Sequence, residues 1–407
     1  MIEMSLQIVR VVEYAIAFLT LYLTVFFILL YIKYRSEVAK QPKTDKHFTP
    51  SLSIIIPAFN EEDTLEKCIK SVLNADYPKD KLEVIIVDDG SIDNTYNIAL
   101  SLLKNGNRLR VFTKKNQGKA AALNFGIAKA KNDIIATLDA DSYIEKNTIW
   151  RMLPYFKDKQ VAAVTAAVKI VEQKSNKGRN VIEFIQKIEY LFTLFSRKML
   201  TFVEAVTVTP GPFSMFRSWV FKEIGGFDTK SILEDQEIAL RIQKHNYKIR
   251  SSMDADVYTE IPRNFNELLK QRIRWHRGGF HNTIKYLSLI SPRYGDFGLI
   301  IMPLTIIALL ALFGVFFVAI LNYISQPYYL RYLGFEALWL SLTPIHIVGI
   351  IILALNFLWI VWGLAQFKKE NVSAWQLIVY IISYSYLLTI YWTAAIIKEI
   401  KMEKLSW

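Results

Sequence analysis

Three groups of residues in this chain have the types and spacing that chemistry needs. The stretch IIATLDADS (134–142) ends an apolar run on two carboxylates, Asp139 and Asp141. Positions i and i+2 of an extended segment point to the same side, and two ionised carboxylates held together repel. A hard divalent cation, Mg²⁺ or Mn²⁺, reverses that sign, because it takes one or two carboxylate oxygens and keeps sites for phosphate oxygens. A lone pair of this kind is more often a solvated turn. Here a second apolar run also closes on acids, in Asp88-Asp89-Gly90-Ser91. Glu234 and Asp235 precede Ile238 and Ile242, which recur at helical spacing. Both carboxylates therefore fall in a first helical turn, where the dipole favours them; an acidic first turn also serves stability alone. In QRIRW (271–275), Gln271, Arg274 and Trp275 stand at i, i+3 and i+4, one face of a helix. Gln and Arg can bond phosphate oxygens, Arg in bidentate fashion and always charged, and Trp offers a flat apolar face. Lys270, Arg272 and Arg277 nearby fit a basic helix at a membrane surface equally well.

The elements that must position these groups alternate. Ser53 to Pro57 reads as a strand buried on both faces, with Asn60 as the N-cap of a helix carrying Ile69, Val72 and Leu73. Cys68 adjoins that apolar stripe and reads as core. Val84 to Val87 is a second strand, RLRVFT (108–113) holds a third, a helix starts near Gly118, and DIIATLDADS (133–142) is a fourth strand. Strands alternating with helices predict a mainly parallel α/β sheet of Rossmann type. Ligands in such sheets lie beyond the carboxyl ends of the strands, where Asn60 and Glu61, Asp88 and Asp89, and Asp139 and Asp141 all fall. The glycine-rich dinucleotide fingerprint is absent after the first strand, which runs into PAFNEE, and no P-loop is present. Something other than glycine-loop amides must then neutralise a phosphate.

Bulk properties place this unit beside a membrane. Of 407 residues 52% are hydrophobic, more than an ordinary soluble chain carries, and the net charge is +12. Residues 11–32, 297–323, 339–367 and 374–397 are each long and apolar enough to cross a bilayer. We expect an N-terminal anchor at 1–33, a soluble domain at 34–285 and a C-terminal transmembrane or interfacial region at 286–407 with about three spans. Only Arg10 precedes the first span, whereas Lys33, Arg35, Lys40, Lys43 and Lys46 follow it, so the soluble domain is expected on the cytoplasmic side. Lys398, Lys401 and Lys404 conflict with a C-terminus on the far side. An interfacial or re-entrant run among the last three resolves this, and Trp392, Leu405 and Trp407 suit such an anchor. The single cysteine excludes an intramolecular disulfide framework. The basic balance is largely spent on the membrane-flanking loops, so no nucleic-acid partner is expected.

Taken in order, PAFNEE (57–62), VDDGS (87–91), NQGKAAALN (116–124), DADS (139–142), TPGPFSMFR (209–217), GGFD (225–228), LEDQEIALRI (233–242) and QRIRW (271–275) resemble the family 2 glycosyltransferases of GT-A fold. Within that family the pattern is similar to the membrane-embedded synthases of poly-N-acetylglucosamine, cellulose, chitin and hyaluronan. The resemblance covers about residues 50–280. It implies a uridine pocket lined by Pro57, Ala58, Asn60, Glu61, Asp88 and Asp89, with Lys119 beside the nucleotide. Asp139 would contact the ribose and metal region, and Asp141 would hold Mg²⁺ or Mn²⁺. Asp235 would be the general base. Gln271 and Arg274 would meet the diphosphate, and Trp275, Gly211, Pro212 and Phe213 would line the acceptor site. The implied activity is inverting, metal-dependent transfer from a UDP-sugar, extending a β-linked polysaccharide at the cytoplasmic membrane face, coupled to export. The alternative is transfer of one sugar to a membrane lipid. Four spans are few for a self-contained polymer channel; a homo-oligomer, an accessory subunit or a lipid product would each reconcile this. On resemblance alone the donor sugars rank N-acetylglucosamine, then glucose. A membrane-anchored nucleotide sensor would need neither Asp235 nor the Arg274-Trp275 pair.

Overall fold

The computed structural model describes residues 2–105, 108–172, 180–308, 310, 314 and 344–403. The eight described strands form one sheet: β1 (Leu52–Ala58), β2 (Leu82–Asp88), β3 (Leu109–Thr113), β4 (Ile134–Thr137), β5 (Ser142–Ile144), β6 (Val161–Ile170), β7 (Ser214–Arg217) and β8 (Lys248–Thr259), in the order β3-β2-β1-β4-β7-β6-β8-β5. β3, β2, β1 and β4 run parallel, as the alternating pattern predicts. β7 enters antiparallel between β4 and β6, and β8 is parallel to β6. The result is that the ends of β1, β2, β4, β6 and β8 and the start of β7 all face one edge.

Side-chain alternation explains why β1 is buried throughout. Leu52, Ile54 and Ile56 point to one face, where Leu65, Cys68, Ile69 and Val72 of α2 (Leu65–Leu73) cover them. Ile55, Ile85 and Val87 point to the other, under Ala120, Ala122 and Leu123 of α4 (Lys119–Lys129). Between these come α3 (Thr95–Ser101) and, later, α5 (Thr148–Met152). Cys68 is core as expected, and burial drives its thiol well above the ordinary range.

The expected Asn60 cap is not formed. The helix begins at Leu65 after Thr64, and Asn60 adopts a left-handed backbone with φ 55°. Its side chain is engaged elsewhere: Asn60 Oδ1 accepts from the Ile92 amide at 3.0 Å, and its own amide donates to Ser91 Oγ at 3.0 Å. Asn60 therefore ties the loop after β1 to the loop after β2. The Gly118 helix start holds, with Gly118 at φ 89° immediately before α4.

Two elements after β6 complete the walls: α6 (Val181–Thr201) and, beyond α7 (Ser218–Glu223), α8 (Glu234–Lys244), with α9 (Phe265–Lys285) crossing it. Asn180 and Asn264 cap α6 and α9 through their side chains.

The chain divides into two compact units. One comprises Met1–Arg35 and Ile290–Ala365 and contains most of α1 (Ile2–Val38), a short apolar helix α10 (Phe297–Ala308) and α11 (Pro344–Leu364). The other comprises Ser36–Leu289 and Gln366–Trp407, so the sheet unit also holds α12 (Ala374–Ile400). Among the described residues Arg10–Val38, Pro344–Leu364 and Ala374–Ile400 are long and apolar enough to cross a membrane by length and composition. The span expected at 297–323 is helical over Phe297–Ala308; most of its remainder lies outside the described residues, as do residues 339–343, Lys404, Leu405 and Trp407.

Candidate active site

The sheet edge opens into a cavity of about 890 Å³, within the range that holds a small-molecule ligand. Its walls bring together Pro57, Ala58, Glu61, Asp89, Lys119, Asp139, Asp141, Gly211, Pro212, Asp235, Gln271, Arg274 and Trp275. These residues come from segments more than two hundred positions apart, and the topology explains their meeting. The loops after β1, β2 and β4 deliver the acids, and the loop before β7 delivers Gly211 and Pro212. The helices α8 and α9 close the far side.

Asp139 is paired: Lys119 Nζ lies 2.5 Å from its Oδ1 and 3.3 Å from Glu234 Oε1. Desolvation works against the charge of the half-buried Lys119 ammonium, but the three acids Asp139, Glu234 and Asp235 outweigh it and hold the group far above its usual range. Gly211 leaves room for this pair, since a Cβ at that position would come within 2.6 Å of Asp139 Oδ2 and 2.7 Å of Lys119 Nζ and would displace one of them. Asp141 accepts from Ser142 Oγ at 2.8 Å. Burial, and then the charge of Asp139, push it up to about 7.

Asp235 is also pushed up to about 7, first by burial and then by Glu234. As expected, Glu234 and Asp235 form the first turn of α8. The Asp235 carbonyl accepts from both the amide and the hydroxyl of Thr209, at 3.1 and 2.8 Å, which pins the turn to the 209–213 loop. Glu237, one turn on, is buried and accepts from Tyr286 Oη at 2.6 Å and Lys285 Nζ at 3.0 Å. Asn282 Nδ2 donates to the Leu233 carbonyl at 3.0 Å. These bonds fix α8 against α9, and hence Asp235 relative to Gln271, Arg274 and Trp275.

Three predicted site residues stand off the cavity wall. Phe213 is fully buried in the core beneath Pro212. Asp88 is buried, its carboxylate accepting from the Ser91 amide at 3.2 Å and Thr113 Oγ1 at 2.8 Å. Asn60 bridges two loops as described. Asp89 lines the cavity, yet its carboxylate already accepts from Lys114 Nζ at 2.6 Å and the Gly118 amide at 2.7 Å. That leaves it holding the entry of α4.

The sequence reading missed the α6 wall. Glu189, Tyr190, Thr193, Leu194 and Arg197 all line the cavity. Their recurrence at i, i+4 and i+8 within an amphipathic segment is the signal that would have exposed it. Arg197 Nη1 is buried with no hydrogen-bond partner, and burial lowers its guanidinium to about 10.

Residues 53–225 match the sequence profile of Glycosyl transferase family 2. Poly-beta-1,6-N-acetyl-D-glucosamine synthase of Staphylococcus aureus (strain MSSA476) is 31% identical over 247 residues, 60% of this chain and 58% of that protein. The synthase of the same name from Staphylococcus epidermidis is 31% identical over 256 residues, 61% of this chain and 60% of that protein. The chain thus spans about three fifths of the length of the curated relatives it matches. Among solved structures, mannosyltransferase PcManGT from Pyrobaculum calidifontis, in complex with GDP-Man and Mn²⁺, superposes with a TM-score of 0.61 at 20% identity. That match covers 88% of this chain and all of that one. The parallel-dominant sheet with acids along its carboxyl edge is a GT-A-like fold, and this chain carries a glycosyl transferase family 2 domain at residues 53–225.

Proposed function

We infer that the protein is an inverting, divalent-metal-dependent glycosyltransferase that uses a UDP-sugar to extend a β-linked polysaccharide at the cytoplasmic face of the membrane. The observation that carries this reading is that one cavity holds every part the chemistry needs. It gathers a cation-ready acid pair (Asp139, Asp141), an elevated carboxylate (Asp235) and a Gln-Arg-Trp face (Gln271, Arg274, Trp275). The identity to poly-beta-1,6-N-acetyl-D-glucosamine synthases supports a polysaccharide product and N-acetylglucosamine as the first donor to test. The lysine-rich flank after α1 supports the cytoplasmic side.

The acid pair suits a hard cation. Asp139 and Asp141 are oxygen donors; burial and then the charge of Asp139 raise Asp141, and Lys119 makes its ion pair with Asp139. Among the described residues no cluster of three or more metal-ligating side chains occurs, so phosphate and water oxygens would complete the shell, as Mg²⁺ and Mn²⁺ permit. A bound cation would neutralise the diphosphate. Lys119 and Arg274 add fixed positive charge where the leaving group develops its own. Asp235, ionised, takes the proton of an acceptor hydroxyl as that oxygen attacks the anomeric carbon. The new C–O bond forms as the bond to the diphosphate breaks on the opposite face, which inverts the anomeric centre. Trp275 offers its ring to the acceptor sugar.

Membranes carrying the protein should transfer label in the presence of Mg²⁺ or Mn²⁺ when offered UDP-Glc, UDP-GlcNAc, UDP-GlcA and UDP-Gal in turn. UDP-GlcNAc is the expected donor. Product length then separates a polymer from the second reading, one sugar on a lipid. No transfer from any donor refutes the reading.

A further inference from the structure

We propose that Arg272, the second residue of QRIRW, is a positioning residue that turns Gln271 and Trp275 into their working orientation and links both to α6 and α12. This rests on the glycosyltransfer reading of the cavity.

Arg272 is 2% exposed and is not part of the cavity wall, whereas Gln271 and Trp275 both are. Its guanidinium is split between two partners. Nη2 donates to Glu189 Oε2 of α6 at 2.6 Å, and Nη1 donates to Gln271 Oε1 at 2.6 Å. A plain structural ion pair would give Glu189 both nitrogens, since a guanidinium fork matches a carboxylate. Diverting one to Gln271 has a chemical effect. A guanidinium only donates, so it captures the amide oxygen of Gln271 and leaves the NH₂ as the group free for the cavity. A donor there meets phosphate oxygens; the carbonyl oxygen would repel them. The same guanidinium lies 4.1 Å over the Trp275 ring, a cation–π contact that fixes the plane of the indole. Glu189 is held in turn by Tyr384 Oη of α12 at 3.3 Å. One buried cation thus sets the sense of a diphosphate contact and the plane of a sugar platform, and three helices hold it.

The test is a mutant cycle with UDP affinity measured by calorimetry beside turnover. Arg272→Lys keeps a charge for Glu189 but lacks the planar fork, and it should lower kcat roughly 10- to 100-fold, the scale of a small misplacement. In a Gln271→Ala, Trp275→Ala background the same change should cost little more, because its targets are gone. Equal losses in both backgrounds, or wild-type kcat in Arg272→Lys, overturn the proposal. Gln271→Glu guards against a variant that fails to fold. It retains an acceptor for Arg272 but shows an oxygen to the cavity, so it should bind UDP and turn over more weakly than Gln271→Ala; a Gln271→Glu variant matching wild type also overturns it. Wild-type membranes inert toward every donor would refute glycosyl transfer instead, while the order of UDP affinities would still judge the role of Arg272.

Discussion

Glu234 gives the most direct access to the proposed base. Asp235 is pushed up to about 7 from the ordinary 3.8, first by burial and then by the charge of Glu234. Glu234→Gln removes that charge and keeps the shape. The lowering effect of the Lys119 ammonium, 3.3 Å from Glu234, remains in place. Like charges several ångströms apart at an effective dielectric near 20 interact by roughly 2 kcal/mol, which is about 1.5 pKa units. The burial contribution stays, so the carboxyl should settle between roughly 5 and 6. The base works ionised, so activity falls as pH drops through this value, and the acidic limb of kcat/KM should move down from near 7 by one to two units. The assay is sugar transfer from UDP-GlcNAc between pH 5 and 8.5 at fixed Mn²⁺. A limb that stays in place, or moves up, would refute both the assignment of Asp235 and the coupling to Glu234.

Asp235→Asn should reduce turnover roughly a thousandfold, the middle of the range for a lost general base, while calorimetry finds UDP affinity unchanged. Asp141, raised to about 7 in the fold, favours the folded state fully below its unfolded value of about 3.9 and loses that contribution as pH rises through 7. Asp141→Asn should therefore melt above wild type at pH 8 in chelator and lose any stabilisation by Mn²⁺, read by thermal shift. Arg197→Met removes a buried guanidinium nitrogen that lacks a partner; it should add about 1 kcal/mol or more of stability in denaturant titration yet transfer less sugar.

The half of the sheet with parallel strands was legible because its signal is local. The β-branched runs at β1, β2 and β4 are continuous, and each ends on the polar residues that the edge requires. The α8 first turn and the α9 face followed from helical spacing alone. Asn60 was misread because a residue good at capping is equally good in a left-handed turn, and the competing partner, Ile92, is 32 positions away. Phe213 was assigned with Gly211 and Pro212 from the resemblance of the TPGPFSMFR segment; a loop that lines a cavity with two residues can bury the third. The α6 wall needed tertiary knowledge, since an amphipathic helix announces an apolar face but not which polar residues will meet a ligand.

The two tethers of α12 bear on the parity of the membrane crossings. Just before it, Glu370 pairs with Lys169 and Lys187, each at 3.1 Å. At its other end, Glu399 pairs with Arg277 at 2.5 Å. All three partners belong to the same sheet-bearing unit. Fastening at both ends to the sheet-bearing unit predicts that α12 starts and finishes on one side of a bilayer, despite an apolar length sufficient to cross one. Its outward residues Trp375, Ile378, Ile382, Tyr386, Ile390 and Ile397 are exposed and greasy, suited to lying along a leaflet like a keel. On that expectation Lys398 and Lys401 lie on the same side as Lys40, Lys43 and Lys46 of the same unit, which would answer the charge conflict at the end of the chain. A cysteine placed at position 401 should be labelled from the same side of sealed vesicles as one at position 46.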